Sequence, residues 1–240
     1  MTDLSGQTVV VIGGSAGIGL ETARLARERG AEVIITARSQ DRLRQVGQEL
    51  GASTAAFDAT DFDQLASFFD DLPTTIDHLL VTGPGPYYAL LADFDVDAAR
   101  HDLDAHLFLP LQVARHAIGK VRPGGTLLFM SGTGGRHTAP GLSLISAMTA
   151  ALPALIKNIA LEIAPIRVNL IAAGFVDTPL SATLLGDQID ARREQLRTTL
   201  PIQRVVEAAD VATLAIHLMI NTVLTGATFD IDGGQQLVEG

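Results

Sequence analysis

Short runs of β-branched and apolar residues alternate with longer stretches in which apolar positions recur at helical spacing, from one end of the chain to the other. The short runs predict strands at Thr8–Ile12, Glu32–Ala37, Ser53–Asp58, Ile76–Val81, Gly125–Met130, Ile166–Ala172 and Thr228–Ile231. The longer stretches predict helices around Ile18–Arg29, Gln40–Leu50, Asp61–Phe69, Val96–Val121, Leu142–Ile163 and Ala208–Ile220. Thr178–Val205 is weakly patterned and reads as a short helical lid. Ile76–Val81 and Leu127–Met130 are apolar on both faces, which suits a parallel sheet covered by helices on both sides. Strand–helix alternation implies right-handed βαβ units. No repeat or linker interrupts it. The expectation is one domain over residues 1–240: an α/β, doubly wound sheet of Rossmann type, seven parallel strands with helices on both faces. Ligands would sit at the carboxyl ends of its strands.

Composition narrows the partners. The chain has 240 residues, 47% of them hydrophobic, and a mean hydropathy of +0.29, enough for a large core. A net charge of −10 argues against nucleic acid and against an anionic membrane surface, both of which need a basic face. There is no cysteine, so disulfides, thiolate metal ligands and a thiol nucleophile are excluded. The histidines show no close metal-ligand spacing, and no metal is expected. The uncharged stretch Leu142–Ile156 is shorter than the ~20 residues a membrane span needs, and reads as a buried helix. Met1–Gly6 has neither a basic nor an apolar leader segment, so the expected compartment is the cytoplasm.

The first strand runs directly into Gly13-Gly14-Ser15-Ala16-Gly17-Ile18-Gly19, where a helix begins. Glycines between a strand and a helix permit a tight turn and close approach of a pyrophosphate to backbone N–H groups, and the helix adds its positive dipole end. Gly13, Ser15, Ala16, Gly17, Ile18 and Gly19 are therefore candidate cofactor contacts. The second strand ends in Ala37-Arg38-Ser39. A carboxylate there would bind ribose hydroxyls. A guanidinium with a hydroxyl beside it suits a 2′-phosphate instead. The expected cofactor is NADP(H) in preference to NAD(H), with Arg38 and Ser39 as the discriminating pair.

With these residues in place, the chain resembles the short-chain dehydrogenase/reductase family over nearly its full length. Gly13–Gly19 is similar to the family's TGxxxGxG loop, with Ile12 at the threonine. Asp58-Ala59-Thr60-Asp61 resembles the segment that contacts adenine, which adds Asp58 and Ala59 to the cofactor set. Arg167-Val168-Asn169 with Ala173–Pro179 resembles RVN…PGxVxTP, and Thr225-Gly226 with Asp230–Gly234 resembles the TG…DGG ending. The resemblance implies further cofactor contacts at Thr82, Gly83, Gly174, Val176 and Thr178. It also implies a small-molecule substrate, and a homotetramer or homodimer built through the helices at Val96–Val121 and Leu142–Ile163.

The departures fall where the family carries its chemistry. Val81–Gly85 stands at the NNAG motif. By the same register the Asn-Ser-Tyr-Lys positions hold His106, Gly132, Ile145 and Thr149. The chain contains two tyrosines, Tyr87 and Tyr88, and two lysines, Lys120 and Lys157, and no Tyr-x-x-x-Lys pair. Losing a general acid costs ~10²–10⁴ in rate. Ser131, Tyr87, Tyr88 and His137 lie near the ligand edge and are weak candidates for a replacement. Each, like His106, has a plainer reading as pocket lining, packing or strand-end hydrogen bonding. Three functions fit: an NADP(H)-dependent oxidoreductase of a small carbonyl or alcohol with a non-standard site, a non-catalytic NADP(H)-binding protein serving as a redox sensor or partner subunit, or non-redox chemistry in the same pocket.

Overall fold

A computed structural model describes residues 3–73 and 75–238. Seven parallel strands form one sheet: β1 (Thr8–Ile12), β2 (Glu32–Ala37), β3 (Ser53–Ala56), β4 (Ile76–Val81), β5 (Val121–Gly132), β6 (Arg167–Ala173) and, after a separate two-residue pair, β9 (Thr228–Ile231). The order across the sheet is β3-β2-β1-β4-β5-β6-β9. The order reverses between β1 and β4, so their carboxyl ends flank the crevice where a doubly wound sheet takes its ligand. The expected doubly wound fold with helices on both faces is what forms.

Alternation along the strands explains the two cores. Val10, Ile12, Leu79, Leu127 and Phe129 point to one face and meet α3 (Phe62–Asp71), α5 (Leu109–Ala117) and α6 (Ser143–Glu162). Val9, Val11, Leu80 and Leu128 point to the other and meet α1 (Gly17–Glu28), α2 (Gln40–Leu50) and α9 (Ala208–Ile220). All seven residues of β6 are buried. Its two polar side chains are satisfied by backbone. The Arg167 guanidinium donates to the carbonyls of Leu218 and Met219 at 2.8 and 2.7 Å, capping the end of α9. Asn169 donates to the Leu224 carbonyl and accepts from the Ala227 N–H.

Several boundaries differ from expectation. The helix expected over Val96–Val121 is α4 (Val96–Leu103), a π turn at Asp104–Phe108, then α5, which stops at Ala117 before Gly119 takes a φ of +80°. β3 stops at Ala56 because Asp58 accepts the Thr60 N–H and hydroxyl, turning the chain away. β5 begins at Val121 rather than Gly125, through an irregular register opposite Ile76 and His78. The weakly patterned segment holds α7 (Pro179–Leu185) and α8 (Ile189–Thr199) and is bracketed by β7 (Val176–Asp177) and β8 (Val206–Glu207), which pair. A short α10 (Gln235–Val238) closes the described chain. At 20 residues and a mean hydropathy of 1.6, α6 is longer than the apolar stretch read from sequence and has the length and composition of a membrane span. Its inner face, including Ile145, Met148, Leu152 and Ile156, is buried against the rest of the fold.

Candidate active site

The glycine loop is shaped by lack of room. The N–H groups of Gly13 and Gly14 both donate to the Thr36 carbonyl at 3.0 Å, tying the end of β1 to the end of β2. A Cβ on Gly13 would collide with Thr82, and one on Gly19 with the Gly13 carbonyl. The Thr82 hydroxyl bridges the Ile12 and Gly13 carbonyls at 3.1 Å each, so it braces the loop. Gly17 takes a φ of +53° under the Thr178 side chain. Ala16 caps α1 without a side-chain hydrogen bond, and the first turn holds no acidic residue. Unpartnered N–H groups without a competing carboxylate are what a pyrophosphate requires. Arg38 is exposed just beyond β2, and Ser39 caps α2 without using its hydroxyl. Burial opposes the charge of Asp58, but hydrogen bonds from Thr60 and the nearby Arg38 and His101 charges outweigh it and hold the carboxyl below its usual value. The loop and the β2 and β3 ends thus fit a dinucleotide.

Beside the loop lies a cavity of about 640 Å³ at the carboxyl ends of β4, β5 and β6. Ile18, Thr82, Gly83, Gly174, Val176 and Thr178 line it. Gly174 has no spare space, since a Cβ would lie 2.7 Å from Asp232 and from the Gln235 carboxamide. The Thr178 hydroxyl accepts from the Ser181 N–H and caps α7, which roofs the cavity with Leu180 and Leu184. Phe129, Met148, Leu152 and Phe175 make the interior largely apolar. Among the described residues, no three histidine or acidic side chains are grouped to hold a metal.

A family model described as enoyl-(acyl carrier protein) reductase matches residues 13–236. A short-chain dehydrogenase/reductase of Gibberella fujikuroi, fsr5, is 30% identical over 99% of this chain and 97% of its own. The chain belongs to the short-chain dehydrogenase/reductase family. Among solved structures, a small-chain dehydrogenase in complex with NADPH is 29% identical, with a TM-score of 0.83 and coverage of 96% of this chain and 99% of that one. The MalC reductase/Diels-Alderase of Malbranchea aurantiaca has a TM-score of 0.86 over 98% of both chains at 24% identity.

The four positions assigned by register to the tetrad, His106, Gly132, Ile145 and Thr149, all line this same cavity. Ile145 and Thr149 stand one turn apart on α6 and face it together. The Thr149 hydroxyl is buried with no hydrogen-bond partner and lies against Gly135. Ser131 also lines the cavity. The weak candidates separate: Tyr88 lines the cavity, while the Tyr87 hydroxyl accepts from the Asp95 N–H and its ring packs edge-on to Phe94. Tyr87 and His137 are outside the lining.

Two contributors escaped the sequence reading. Asp102, one of many acidic residues in the chain, is buried and faces His106, with Nδ1 3.0 Å from the Asp102 carbonyl and 3.1 Å from Oδ1. Gln235 follows the DGG ending and fixes a cavity wall by accepting the Phe175 N–H at 2.8 Å. Asp102 stands four residues before His106, one helical turn away, which was the available signal; Gln235 carries none. Both are defined by burial.

Proposed function

We propose that this protein is an NADP(H)-dependent oxidoreductase acting on a small apolar carbonyl or alcohol, through a site that departs from the family tetrad. The observation that carries the cofactor preference is the end of β2, where Arg38 and Ser39 stand exposed and no carboxylate follows Ala37. The similar dehydrogenase in complex with NADPH supports it. The apolar walls at Phe129, Met148, Phe175, Leu180 and Leu184 support a substrate with little charge. When bound, a reduced dinucleotide supplies hydride to such a carbonyl. The chain's own residues grip the phosphates, exclude water and provide the proton. Exposed apolar side chains at Phe108 and Leu111 on the π turn and α5, and Leu161 on α6, support assembly as a homotetramer or homodimer.

Calorimetric titration of NADPH and NADH tests the cofactor. Charge-assisted bonds contribute ~1.5–3 kcal/mol, so Arg38→Ala should weaken NADPH by ~10–100-fold and leave NADH nearly unchanged. Equal losses for both would overturn the NADP(H) assignment. NADPH oxidation across a panel of small ketones and quinones tests the reaction. Isoleucine and threonine at 145 and 149 favour a second reading, a non-catalytic NADP(H)-binding protein, which tight binding without turnover on the panel would select.

A further inference from the structure

We propose that His106, held by Asp102, is the proton donor and acceptor of this cavity: Nε2 gives its proton to the substrate oxygen during carbonyl reduction and takes one back during alcohol oxidation. The assignment rests on the oxidoreductase reading and names the group that reading lacks.

The hydrogen-bond geometry fixes which nitrogen works. Nδ1 lies 3.0 Å from the Asp102 backbone carbonyl, and a carbonyl only accepts. Nδ1 therefore carries its hydrogen in both protonation states, and the change of charge falls on Nε2. Nε2 faces Gly83 at the end of β4, 3.6 Å from where a Cβ would stand, inside the cavity. Glycine there places no side chain over the nitrogen. The imidazole sits in the π turn at Asp104–Phe108, whose extra residue breaks the spacing between α4 and α5 and re-aims the side chains it carries.

Asp102 supplies the countercharge. It is only 5% exposed. Its Oδ1 accepts the Tyr87 N–H at 3.1 Å and faces Nδ1 at 3.1 Å, while Oδ2 is buried without a hydrogen-bond partner. A buried carboxylate with an orphaned oxygen is stabilised by a cation beside it. Burial pulls the His106 pKa down, but the Asp102 hydrogen bonds and charge, with the Pro84 carbonyl, outweigh that and hold it above its ordinary value. The other titratable groups facing this space are Tyr88, from the loop after β4, and Arg192, from α8. The Tyr88 phenol is pushed up by burial and by the Asp102 charge, so it keeps its proton at neutral pH. The walls from β5 and α6 bring Met130, Ser131, Ile145, Met148 and Thr149, none of them charged.

The step balances. A bound reduced dinucleotide would supply the hydride by breaking its own C–H bond; as the new C–H bond forms, the C=O π pair moves to oxygen, and oxygen takes the Nε2 proton as the N–H bond breaks. The imidazolium becomes a neutral imidazole still donating from Nδ1, and water returns the proton to Nε2.

Two measurements test this on the full chain. Long-range ¹H–¹⁵N NMR of the protein without dinucleotide should show His106 as the Nδ1–H tautomer when neutral, with a midpoint above the ordinary ~6.5 that falls in Asp102→Asn. Single-turnover NADPH oxidation should slow tenfold per pH unit above that midpoint. His106→Gln should slow it ~10²-fold or more with NADPH affinity within threefold, and His106→Asn should repeat the loss if the glutamine variant melts early. An Nε2–H tautomer, or turnover within a few-fold of wild type in both variants, would overturn the role of His106 alone. Wild-type protein that binds NADPH and turns over nothing would overturn the oxidoreductase reading, and this role with it.

Discussion

The two walls of the crevice obey different rules. At the β1 end, the site is made of backbone: paired N–H groups on the Thr36 carbonyl, glycines with no space for a Cβ, and a helix end without a side-chain cap. At the β5–α6 end, it is made of side chains on a rigid helix and strand: Ser131, Ile145 and Thr149. Backbone sites tolerate almost no substitution, because each contact depends on an absent atom. Side-chain sites can be rewritten one residue at a time while the scaffold stands. The glycine cradle is kept in this chain while, on the register we propose, the tetrad positions are rewritten, which is the outcome that asymmetry favours.

The sharpest way to break the comparison is to put an atom into the cradle. Gly19→Val would drive its Cβ branch into the Gly13 carbonyl. NADPH affinity should fall by ~10³-fold or more, equivalent to about 4 kcal/mol. Calorimetry beside a thermal melt separates lost binding from lost fold, and a folded variant that still binds NADPH would place the cradle elsewhere.

The side-chain wall should accept a rewrite in the other direction. A side chain at Gly132 has open space, its nearest neighbour being the Ala173 carbonyl 3.8 Å from the Cβ position. The triple change Gly132→Ser, Ile145→Tyr, Thr149→Lys should raise NADPH-dependent ketone reduction by ~10²-fold, the scale of a restored acid and oxyanion donor. The tightest point is Gly135, against which Thr149 already packs. A variant that folds, binds NADPH and gains nothing would show that this wall has lost its geometry as well as its residues.

The smallest effect concerns the strand both walls share. His78 in β4 is 1% exposed, pairs with Gln7 at 2.7 Å, and is held by burial at a pKa of about 3. Its folded form refuses a proton that the unfolded chain accepts below ~6.5. Stability fully present above that value is lost as pH falls, by up to about 1.4 kcal/mol per pH unit. Denaturant titrations between pH 6.5 and 5, above most carboxylate titration, should show that slope in wild type and a flatter one in His78→Leu. Equal slopes would remove His78 as the cause.

Legibility followed the same division. Gly13–Gly19 could be read because strand, glycines and helix are consecutive, and the core of β5 because the hydrophobic run Leu127–Met130 is unbroken. The role of Arg167 could not, since the carbonyls it caps come from the far end of α9. The π turn was hidden because one inserted residue scarcely disturbs helical periodicity over so long a stretch. Tyr87 and Tyr88 are neighbours in sequence with opposite duties, one bracing a loop and one lining the cavity. Asp102 looks like any acidic residue of an acidic chain until its burial is known.

The clasp that finishes the cavity has a consequence for synthesis. Gln235 fixes a wall at Phe175 from 60 residues away, and Arg136 grips Asp230 through both guanidinium nitrogens across 94. A ribosome emits the glycine loop and its Thr82 brace about 150 residues before the closing glutamine. Such long-range closures are slow steps in folding. While it is being made, this protein holds the parts of a phosphate grip well before it can enclose a substrate, so the reaction chamber comes into being only after Gln235 has emerged and met Phe175.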